Sequence, residues 1–548
     1  MSILRLIVVT DSPPPYRHLD QLLDSLQQIR SVQLTCLVTP ATDTAKPLRA
    51  ATTTATARLI QWAGSLLFVL EATVLRTASR ASRGLAQRVH GLGTGRSDTG
   101  KRFAQTMTLD VGEPLRLPVQ PDLVLILGHW IPDGAAIFGS VADVIQVRIG
   151  DSVAGGLPLI GFLESDAGAD QTPIRLFRID AANPSGSLLI DGRTRTKPLF
   201  SLNQVACWDR LASLLQALLA GPTDGGFARP ASIPLAPASL PVEQAAGLAG
   251  RLLTYPARVL ARGVGFAAQY ARGARRWSIA IHRSGPSWDD YGQPAKIEQP
   301  PRGGYHADPM LYWHESSNTA YCFVEEFDQE AGKAHIAVLK EGPSGWLRLG
   351  VALEEPFHLS FPFLFEHAGI LYMCPECSES RTITVYRCAD FPMRWVPTAV
   401  LMSDVSAADT MIFPRQGRWW MLTNIDRGAF PDHQSELHVF HAESPLSGNW
   451  QQVPGNPVKL DSRGARNGGL GLVGDRIFRF GQVQAFGAYG AGLHLYEITK
   501  LDINGFEEQL IRTITPPARS NAVGIHTFST IAGYVAIDLL GARPGTGG

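Results

Sequence analysis

The feature that most restricts the fold of this chain is a strand pattern that recurs in its second half at intervals of roughly fifty residues. Each copy has an acidic or proline-containing turn, an apolar strand, a turn with glycine and an aromatic strand, as in "ADTMIFPRQGRWWMLTN". Copies begin near residues 307, 359, 408, 466 and 523. This spacing is typical of propeller blades. We therefore predict an all-β five-bladed propeller over residues 277–540, with "WSIAIHR" (Trp277–Arg283) as the strand that closes the ring.

The first part of the chain, residues 1–220, has a different pattern. Continuous apolar runs such as "LRLIVVT", "VQLTCLVT" and "PDLVLILGHWI" are bounded by turn residues, which is typical of strands buried on both faces. Helical stretches separate these runs. The alternation predicts βαβ units and a mainly parallel sheet, that is, an α/β domain.

Residues 221–276 are predicted to link the two domains. A stretch rich in Pro, Gly, Ala and Ser precedes a helical segment that Pro256 and several glycines are expected to interrupt. Two interpretations stay open for the arginines of this segment: they are solvated in a packed linker, or they rest on anionic lipid headgroups. These arginines are Arg251, Arg258, Arg262, Arg272, Arg275 and Arg276.

The charge composition limits the partners. Lys+Arg and Asp+Glu both number 49, so the chain has no overall charge bias and a nucleic-acid partner is disfavoured. The N-terminal "MSILRLIVVTDSPPP" has neither the long apolar run nor the cleavage-type site of a signal peptide. We therefore expect a cytoplasmic protein, with peripheral contact to the inner membrane if the basic linker binds lipid.

The predicted propeller resembles the N-terminal domain of the plant glucosamine inositolphosphorylceramide transferases and its bacterial relatives. The resemblance is carried by "HLSFPFLFEHAGILYMCPE", "DTMIFPRQGRWWML", "ARNGG" and "RIFRFGQ". More distantly, it is similar to five-bladed glycoside hydrolases of the arabinanase and xylosidase type. The resemblance implies a sugar, glycan or glycolipid headgroup as ligand. In the plant family, glycosyl transfer is assigned to a separate C-terminal domain, so we do not expect that activity to carry over.

In those hydrolases, carboxylates from different blades act as base, acid and pKa-tuning group. The resemblance places Asp308 at the base position, Asp409 at the tuning position and Arg466 near the acid position. An arginine cannot donate a proton near neutral pH, which favours sugar binding over cleavage. The alternatives are an enzyme that uses Asp308 and Asp409, or two aspartates that cap turns. The predicted ligand-binding residues are Asp308, His358, Glu376, Asp409, Arg466, Gln482 and Tyr489.

Residues 120–180 resemble the formyltransferase fold of methionyl-tRNA and sugar-nucleotide N-formyltransferases. Members of that family use an Asn-x-His pair and an aspartate for formyl transfer. Those positions fall here on Val147, Ile149 and Pro184, none of which can do the chemistry. We therefore expect a degenerate domain without a cofactor. A folate-type formyl donor is implied only if the domain acts as a divergent sugar N-formyltransferase. No His/Asp spacing predicts a metal site.

Overall fold

The computed structural model has two compact units, one formed mainly by Met1–Val264 and one by Gly265–Arg427 with Pro431–Gly548. The structure describes residues 4–10, 17–29, 32–40, 63–64, 66–71, 103–109, 121–127, 144–150, 159–179, 186–220, 242–271, 276–283, 294–301, 303–426, 432–531 and 533–541.

The first unit contains a seven-stranded sheet in the order β3-β2-β1-β4-β5-β6-β7. The pairings among β1 to β5 are parallel, and β6 and β7 are added antiparallel. The apolar runs noted above form β1, β2 and β4, whose continuous apolar residues suit a central position in the sheet. The strands are β1 Leu4–Thr10, β2 Val32–Pro40, β3 Gln105–Leu109, β4 Leu123–Leu127, β5 Val144–Ile149, β6 Gln171–Ile179 and β7 Ser187–Arg195.

Three helices of this unit are α1 (Arg17–Ile29), α2 (Phe162–Ala167) and α3 (Phe200–Ala220). In α1 the buried residues are Leu19, Leu22, Leu23 and Leu26, a spacing of three and four that places them on one face. In α3, Leu211, Leu214 and Leu215 are buried, and Leu214 lies against Gly192 of β7. The helix therefore covers the face of β7 on which Gly192 lies.

The basic segment forms one helix, α4 (Val242–Ala271), with Pro256 inside it. The expectation that Pro256 and the glycines interrupt this segment is therefore wrong. A proline inside a helix costs about 3 kcal/mol, and tertiary packing offsets it here. Tyr255 is fully buried, donates its hydroxyl proton to Glu71 at 2.7 Å and accepts the backbone N–H of Phe200 at 2.7 Å. Within the described part of the chain, no helix is long and apolar enough to cross a membrane.

Three of the α4 arginines bind the chain itself. Arg258 Nε donates to Asp166 Oδ1 at 2.8 Å and Arg251 Nη1 to Asp166 Oδ2 at 3.3 Å. Arg262 Nη1 donates to the carbonyl of Ser165 at 2.7 Å. The interpretation of these three side chains as solvated or lipid-bound throughout is therefore corrected, because Asp166 and the end of α2 hold them. Arg272, Arg275 and the Pro/Gly-rich stretch lie outside the described residues.

The second unit is a five-bladed β-propeller, as predicted. The first strands of successive blades contact one another in a closed cycle, β9–β13–β17–β21–β25–β9. The first two blades are β9 Tyr305–His314, β10 Thr319–Asp328, β11 Lys333–Gly342 and β12 Gly345–Leu353, then β13 Ser360–His367, β14 Ile370–Glu376, β15 Thr382–Asp390 and β16 Arg394–Ser403. The third is β17 Ser406–Arg415, β18 Arg418–Asp426, β19 His438–Ala442 and β20 Gln451–Gln452. The fourth is β21 Asn467–Val473, β22 Arg476–Ala485, β23 Ala488–Asp502 and β24 Gly505–Ile514.

The fifth blade closes the ring with a strand from far earlier in the chain. Its strands are β25 (Phe528–Ile531), β26 (Tyr534–Leu540) and β8 (Trp277–Arg283), in that order. β8 runs antiparallel to β26, with Trp277 opposite Leu540 and Arg283 opposite Tyr534. The prediction that Trp277–Arg283 completes the last blade is confirmed. This pairing joins the two ends of the repeat by backbone hydrogen bonds.

Candidate functional site

Asp308 and Asp409 lie at equivalent bulges near the starts of β9 and β17, the first strands of two blades. Both residues have a φ of 47°, and the strand register shifts beside each of them. Aspartate is one of the few residue types that adopt this left-handed conformation readily. The recurrence of "ADP" and "ADT" at the blade starts therefore serves the backbone as well as placing a carboxylate.

The carboxylate of Asp308 is buried and already hydrogen-bonded. Its Oδ1 accepts the hydroxyl proton of Thr527 at 2.5 Å, and its Oδ2 accepts the backbone N–H of Phe361 at 3.2 Å. Nε2 of His526 lies 3.3 Å from Oδ1. The residue as a whole is 5% exposed. Both oxygens of Asp308 are thus occupied by groups from the second and fifth blades.

His526 lies between two buried carboxylates. Its Nδ1 is 2.6 Å from Oδ2 of Asp538, although the two are not aligned as a good hydrogen bond. Burial opposes protonation, but Asp538 and Asp308 outweigh it and raise the pKa of His526 to about 9. Asp538 Oδ1 also accepts the backbone N–H groups of His526 and Thr527, each at 2.9 Å. We call Asp308, His526, Thr527 and Asp538 the histidine cluster.

Asp409 is held by Arg466 and Gln482. Arg466 donates from Nε to Oδ2 at 2.6 Å and from Nη2 to Oδ1 at 3.2 Å. The two side chains thus form a bidentate ion pair. Gln482 Nε2 also donates to Oδ2, at 2.9 Å. Burial opposes the charged form of Asp409 and raises its pKa, whereas the guanidinium of Arg466 favours the charged form. Although burial opposes it, the charge of Asp409 raises the pKa of Arg466 well above its ordinary value.

Glu376 and Tyr489 complete this second group. Arg466 Nη2 donates to Glu376 Oε2 at 3.1 Å, and its guanidinium lies 5.4 Å from the centre of the Tyr489 ring. Burial raises the pKa of Tyr489 well above its ordinary value. We call Glu376, Asp409, Arg466, Gln482 and Tyr489 the arginine cluster. The Tyr489 and His526 rings are 5.1 Å apart, so the two clusters are neighbours.

Several polar atoms of the arginine cluster have no partner within the residues that the structure describes. They are Nη1 of Arg466, Oε1 of Glu376 and the hydroxyl of Tyr489. The Arg466 and Glu376 side chains are each 12% exposed, and Tyr489 is partly exposed. The cluster therefore offers donors and acceptors to a ligand, whereas Asp409 and Gln482 beneath them are buried.

His358 and Glu325 form a separate pair. His358 Nε2 lies 3.4 Å from Glu325 Oε1, and His358 Nδ1 accepts the backbone N–H of Ala334 at 3.2 Å. Burial raises the pKa of Glu325 to about 7, although the hydrogen bond from His358 acts to lower it. For His358, burial lowers the pKa, but Glu325 outweighs it and the net shift is upward. Glu325 is thus a carboxyl group that exchanges a proton near neutral pH.

The structure brings five of the seven predicted ligand-binding residues into the arginine cluster and places the other two beside different partners. Asp308 belongs to the histidine cluster, and His358 pairs with Glu325. Arg466, found near the position of the missing acid, pairs with Asp409 and Glu376. Whether any of these residues contacts a ligand stays a prediction.

Two residues of importance were missed from the sequence, and a third was interpreted only as a hydrogen-bonded strand residue. Glu325 and Asp538 lie in β10 and β26, the second strands of their blades, and His526 lies two residues before β25. The repeat draws attention to the start of each first strand. A buried acid among apolar neighbours, as in "VAIDLL" and "CFVEEF", was the available signal.

Asp308, His526 and Asp538 are also close enough to share a metal ion, since one ligand atom of each lies within 4.8 Å of the others. The donor set fits a metal poorly as it stands. The carboxylate oxygens already accept N–H and O–H donors from the backbone and from Thr527, and a bound metal would have to displace these hydrogen bonds. These groups are better described as a hydrogen-bonded cluster.

In the first unit, the positions matched to formyltransferase catalytic residues contain no polar replacement. Val147 and Ile149 are buried residues of β5, 3% and 9% exposed. Pro184 lies outside the described residues. The likeness of residues 1–220 to formyltransferases therefore stays a prediction.

Comparison with known proteins places the similarity in the propeller. Residues 296–521 match the family described as glucosamine inositolphosphorylceramide transferase 1, N-terminal. Glucosamine inositolphosphorylceramide transferase 1 of Oryza sativa subsp. japonica is 33% identical over 218 residues, 38% of this chain and 29% of the relative. The protein of the same name from Arabidopsis thaliana is 34% identical over 181 residues, 32% of this chain and 23% of the relative. The chain thus matches under a third of either relative's length.

Solved structures that align with part of this chain include glycoside hydrolases. A family 117 glycoside hydrolase from Zobellia galactanivorans aligns with a TM-score of 0.33 and 9% identity, over 49% of this chain and 92% of the hydrolase. An exo-1,5-α-L-arabinanase from a bovine ruminal metagenomic library aligns with a TM-score of 0.32 and 10% identity, over 42% and 92%. The propeller of this chain, over residues 296–521, is therefore similar to the N-terminal region of the glucosamine inositolphosphorylceramide transferases.

Proposed function

We propose that the propeller binds the sugar-bearing headgroup of a glycan or glycolipid at the arginine cluster, as part of cell-surface glycoconjugate biosynthesis. One observation carries the proposal. Polar atoms of Arg466, Glu376 and Tyr489 have no hydrogen-bond partner among the described residues. Sugar hydroxyls both donate and accept hydrogen bonds, and this set offers both kinds of group around a buried charge pair. The name of the plant relatives supports the same ligand class.

The open N–H groups of the cluster suit a headgroup with acceptor oxygens, such as a polyol or a phosphorylated sugar. The guanidinium of Arg466 keeps two N–H groups on Nη1 for a ligand, and guanidinium binds phosphate oxygens well. The ring of Tyr489 beside it offers a flat apolar surface to a sugar or inositol ring. An inositol phosphate that carries glucosamine combines these features, and it is the first headgroup to test.

Binding without cleavage is favoured by the state of Asp308. A general base must reach the attacking water, but Asp308 is 5% exposed and each of its oxygens already accepts a hydrogen bond from the protein. Asp409 is likewise occupied, by Arg466 and Gln482. The two carboxylates that the resemblance implies as catalytic therefore have structural roles. Asp308 connects neighbouring blades, and Asp409 orients Arg466.

One observation favours a catalytic alternative. Glu325, with a pKa raised to about 7, is a suitable proton donor at neutral pH, and its charge interacts with Asp308 and His358. In a glycoside hydrolase or transferase, Glu325 would protonate the leaving oxygen. This role requires the buried Asp308 to become accessible to water when substrate enters.

A binding screen run with product analysis separates the two candidates. The full chain is tested against immobilised glycans and glycolipid headgroups, including glucosamine-bearing inositol phosphate, while the same headgroups in solution are monitored for cleavage. We expect saturable binding with no released sugar. Released sugar that disappears in Glu325→Gln would establish the catalytic alternative instead.

We also propose that α4 brings the chain to the cytoplasmic face of the inner membrane. Leu253, Leu260 and Val264 are 83%, 70% and 63% exposed, and their spacing places them on one face of the helix. The side chains of Arg251 and Arg258 lie on the other side of the helix, where they pair with Asp166. An exposed apolar stripe on a helix suits the interfacial region of a membrane.

Glutamate at Leu253 and Leu260 together should reduce binding to phosphatidylserine-containing vesicles at least tenfold, because it removes apolar area and adds repulsion. Co-sedimentation with vesicles measures the effect. Leu472→Glu is the matched control, since Leu472 is also exposed, at 58%, but lies in β21. Equal loss in the control, or no loss in the double variant, would contradict a membrane role for α4.

A further inference from the structure

One face of strands β5 to β7 in the first unit carries several arginines. Arg148 in β5 lies directly opposite Arg175 in β6, and Arg175 lies opposite Asp191 in β7. Arg193 is two residues beyond Asp191 and therefore shares its face. Gly192 between them faces Leu214 of α3, since a Cβ there would lie 2.9 Å from that side chain. The arginines thus lie on the face away from α3.

On this face Asp191 pairs with two of the arginines, whereas Arg148 has only a neutral partner. Asp191 accepts from Arg175 Nε and from Arg193 Nη2, each at 3.0 Å. Arg148 donates from Nε and Nη2 to one neutral acceptor, Oε1 of Gln146, at 3.0 and 2.7 Å. No carboxylate of the described residues pairs with Arg148. Nε of Arg193 is buried and lacks an acceptor in the same part of the chain.

This arrangement is unfavourable for a purely structural role. Like charges directly opposite on antiparallel strands destabilise a sheet. Burial and the charge of Arg175 lower the pKa of Arg148 to about 10. Arg148 also lies over the Phe177 ring, 4.6 Å from its centre, but an uncharged side chain could pack there without the repulsion.

We propose that Arg148, Arg175 and Arg193 form a binding site for a phosphate group of a small-molecule ligand. The doubly charged group would accept hydrogen bonds from Nη1 of Arg148 and Nε of Arg193 and would relieve the repulsion between Arg148 and Arg175. Arg175 and Arg193 are held in place by Asp191, and Arg148 by Gln146 and Phe177, so the site is ordered before binding. It is independent of the headgroup site proposed in the propeller.

The test is thermal unfolding of the full chain in increasing inorganic phosphate, with chloride at matched ionic strength as reference. Wild type should show a saturable rise in Tm with phosphate, and Arg148→Met should need at least tenfold more phosphate for the same rise. In chloride, Arg148→Met should be as stable as wild type or more stable, because the substitution removes a like-charge contact. Arg193→Gln should weaken the phosphate response in the same direction.

Arg5→Met is the matched control, because Arg5 lies in β1 of the same sheet but pairs with Asp122 at 3.0 Å. It should respond to phosphate as wild type does. Phosphate bound at Arg466 would stabilise every variant equally, so the difference between Arg148→Met and Arg5→Met isolates this site. The proposal is overturned if wild type shows no saturable response or if Arg148→Met keeps the full response. It is also overturned if Arg148→Met is clearly less stable in chloride, which would show a structural role.

Discussion

Replacing Asp538 by alanine should lower the free energy of unfolding of the propeller by about 3–5 kcal/mol, the range for breaking a buried charge pair. Asp538 is fully buried and accepts the backbone N–H groups of Asp308, His526 and Thr527. Its removal leaves these donors without an acceptor, and His526 loses the closer of its two carboxylates. Because Asp538 lies in β26, which pairs with β8, we expect the fifth blade, which closes the ring, to lose stability.

Urea unfolding followed by tryptophan fluorescence measures this loss. All tryptophans except Trp62, Trp130 and Trp208 lie in residues 277–540, so the signal reports mainly on the propeller. Asp475→Ala is the matched control, since the Asp475 side chain is fully exposed and its ion pair with Arg415 is long, at 3.4 Å. It should unfold as wild type does. Equal urea midpoints for Asp538→Ala and Asp475→Ala would contradict the structural role given to the histidine cluster.

Raising the pH from 6.5 to 9.5 should destabilise the propeller by about 3 kcal/mol through His526 alone, which is the free energy of a pKa difference of this size. The pKa of His526 is about 9 in the folded protein and ordinarily 6.5. The folded state therefore binds the extra proton between these values. The contribution is complete below pH 6.5 and is lost as the pH rises through about 9.

The measurement is the urea unfolding free energy at several pH values for wild type and His526→Gln. The variant lowers the stability at pH 6.5 and should lack this part of the pH dependence, so the two curves converge as the pH rises. His441→Gln is the control, because burial lowers the pKa of His441, so His441 contributes no loss of stability as the pH rises through about 9. Parallel curves for wild type and His526→Gln would show that His526 is not protonated between the two carboxylates.

The propeller could be predicted from the sequence because its signal is repeated. Five strand patterns at similar spacing indicate five blades, and "WSIAIHR" was the segment available to complete the last one. Asp308 and Asp409 stood out for the same reason, since they recur at the same point of two blades. The structure adds that this point is a bulge with positive φ in both blades.

The pairing of the buried charges could not be read in this way. The partners of Asp308 come from residues 361, 526 and 527, and a single sequence carries no information on which distant residues meet at the centre of a ring. Asp538 and Glu325 lie within apolar strands and are recognisable as unusual only once their neighbours are known. Arg466 was predicted from the sequence to contact a ligand, which stays a prediction, and its carboxylate partners needed the structure.

In helix α4, tertiary packing outweighs a local sequence preference. Pro256 and the glycines favour an interrupted helix, but Tyr255 beside the proline is buried and hydrogen-bonded to Glu71 and Phe200. These partners lie far away in sequence, so their stabilisation is not visible in the helix itself. Arg251 and Arg258 of the same segment likewise pair with a residue that is distant in sequence, Asp166.

The affinity of Tyr489→Phe for glucosamine-bearing inositol phosphate tests the central claim most directly. The hydroxyl of Tyr489 has no partner among the described residues, so its removal should leave stability unchanged while it weakens binding roughly three- to tenfold, the effect of one lost hydrogen bond. Tyr372→Phe, at a tyrosine in β14 whose hydroxyl also lacks a described partner, should bind as wild type does. Titration calorimetry measures all three. Equal affinity of Tyr489→Phe and wild type, or no binding by wild type to any sugar-bearing headgroup, would contradict a ligand site at the arginine cluster.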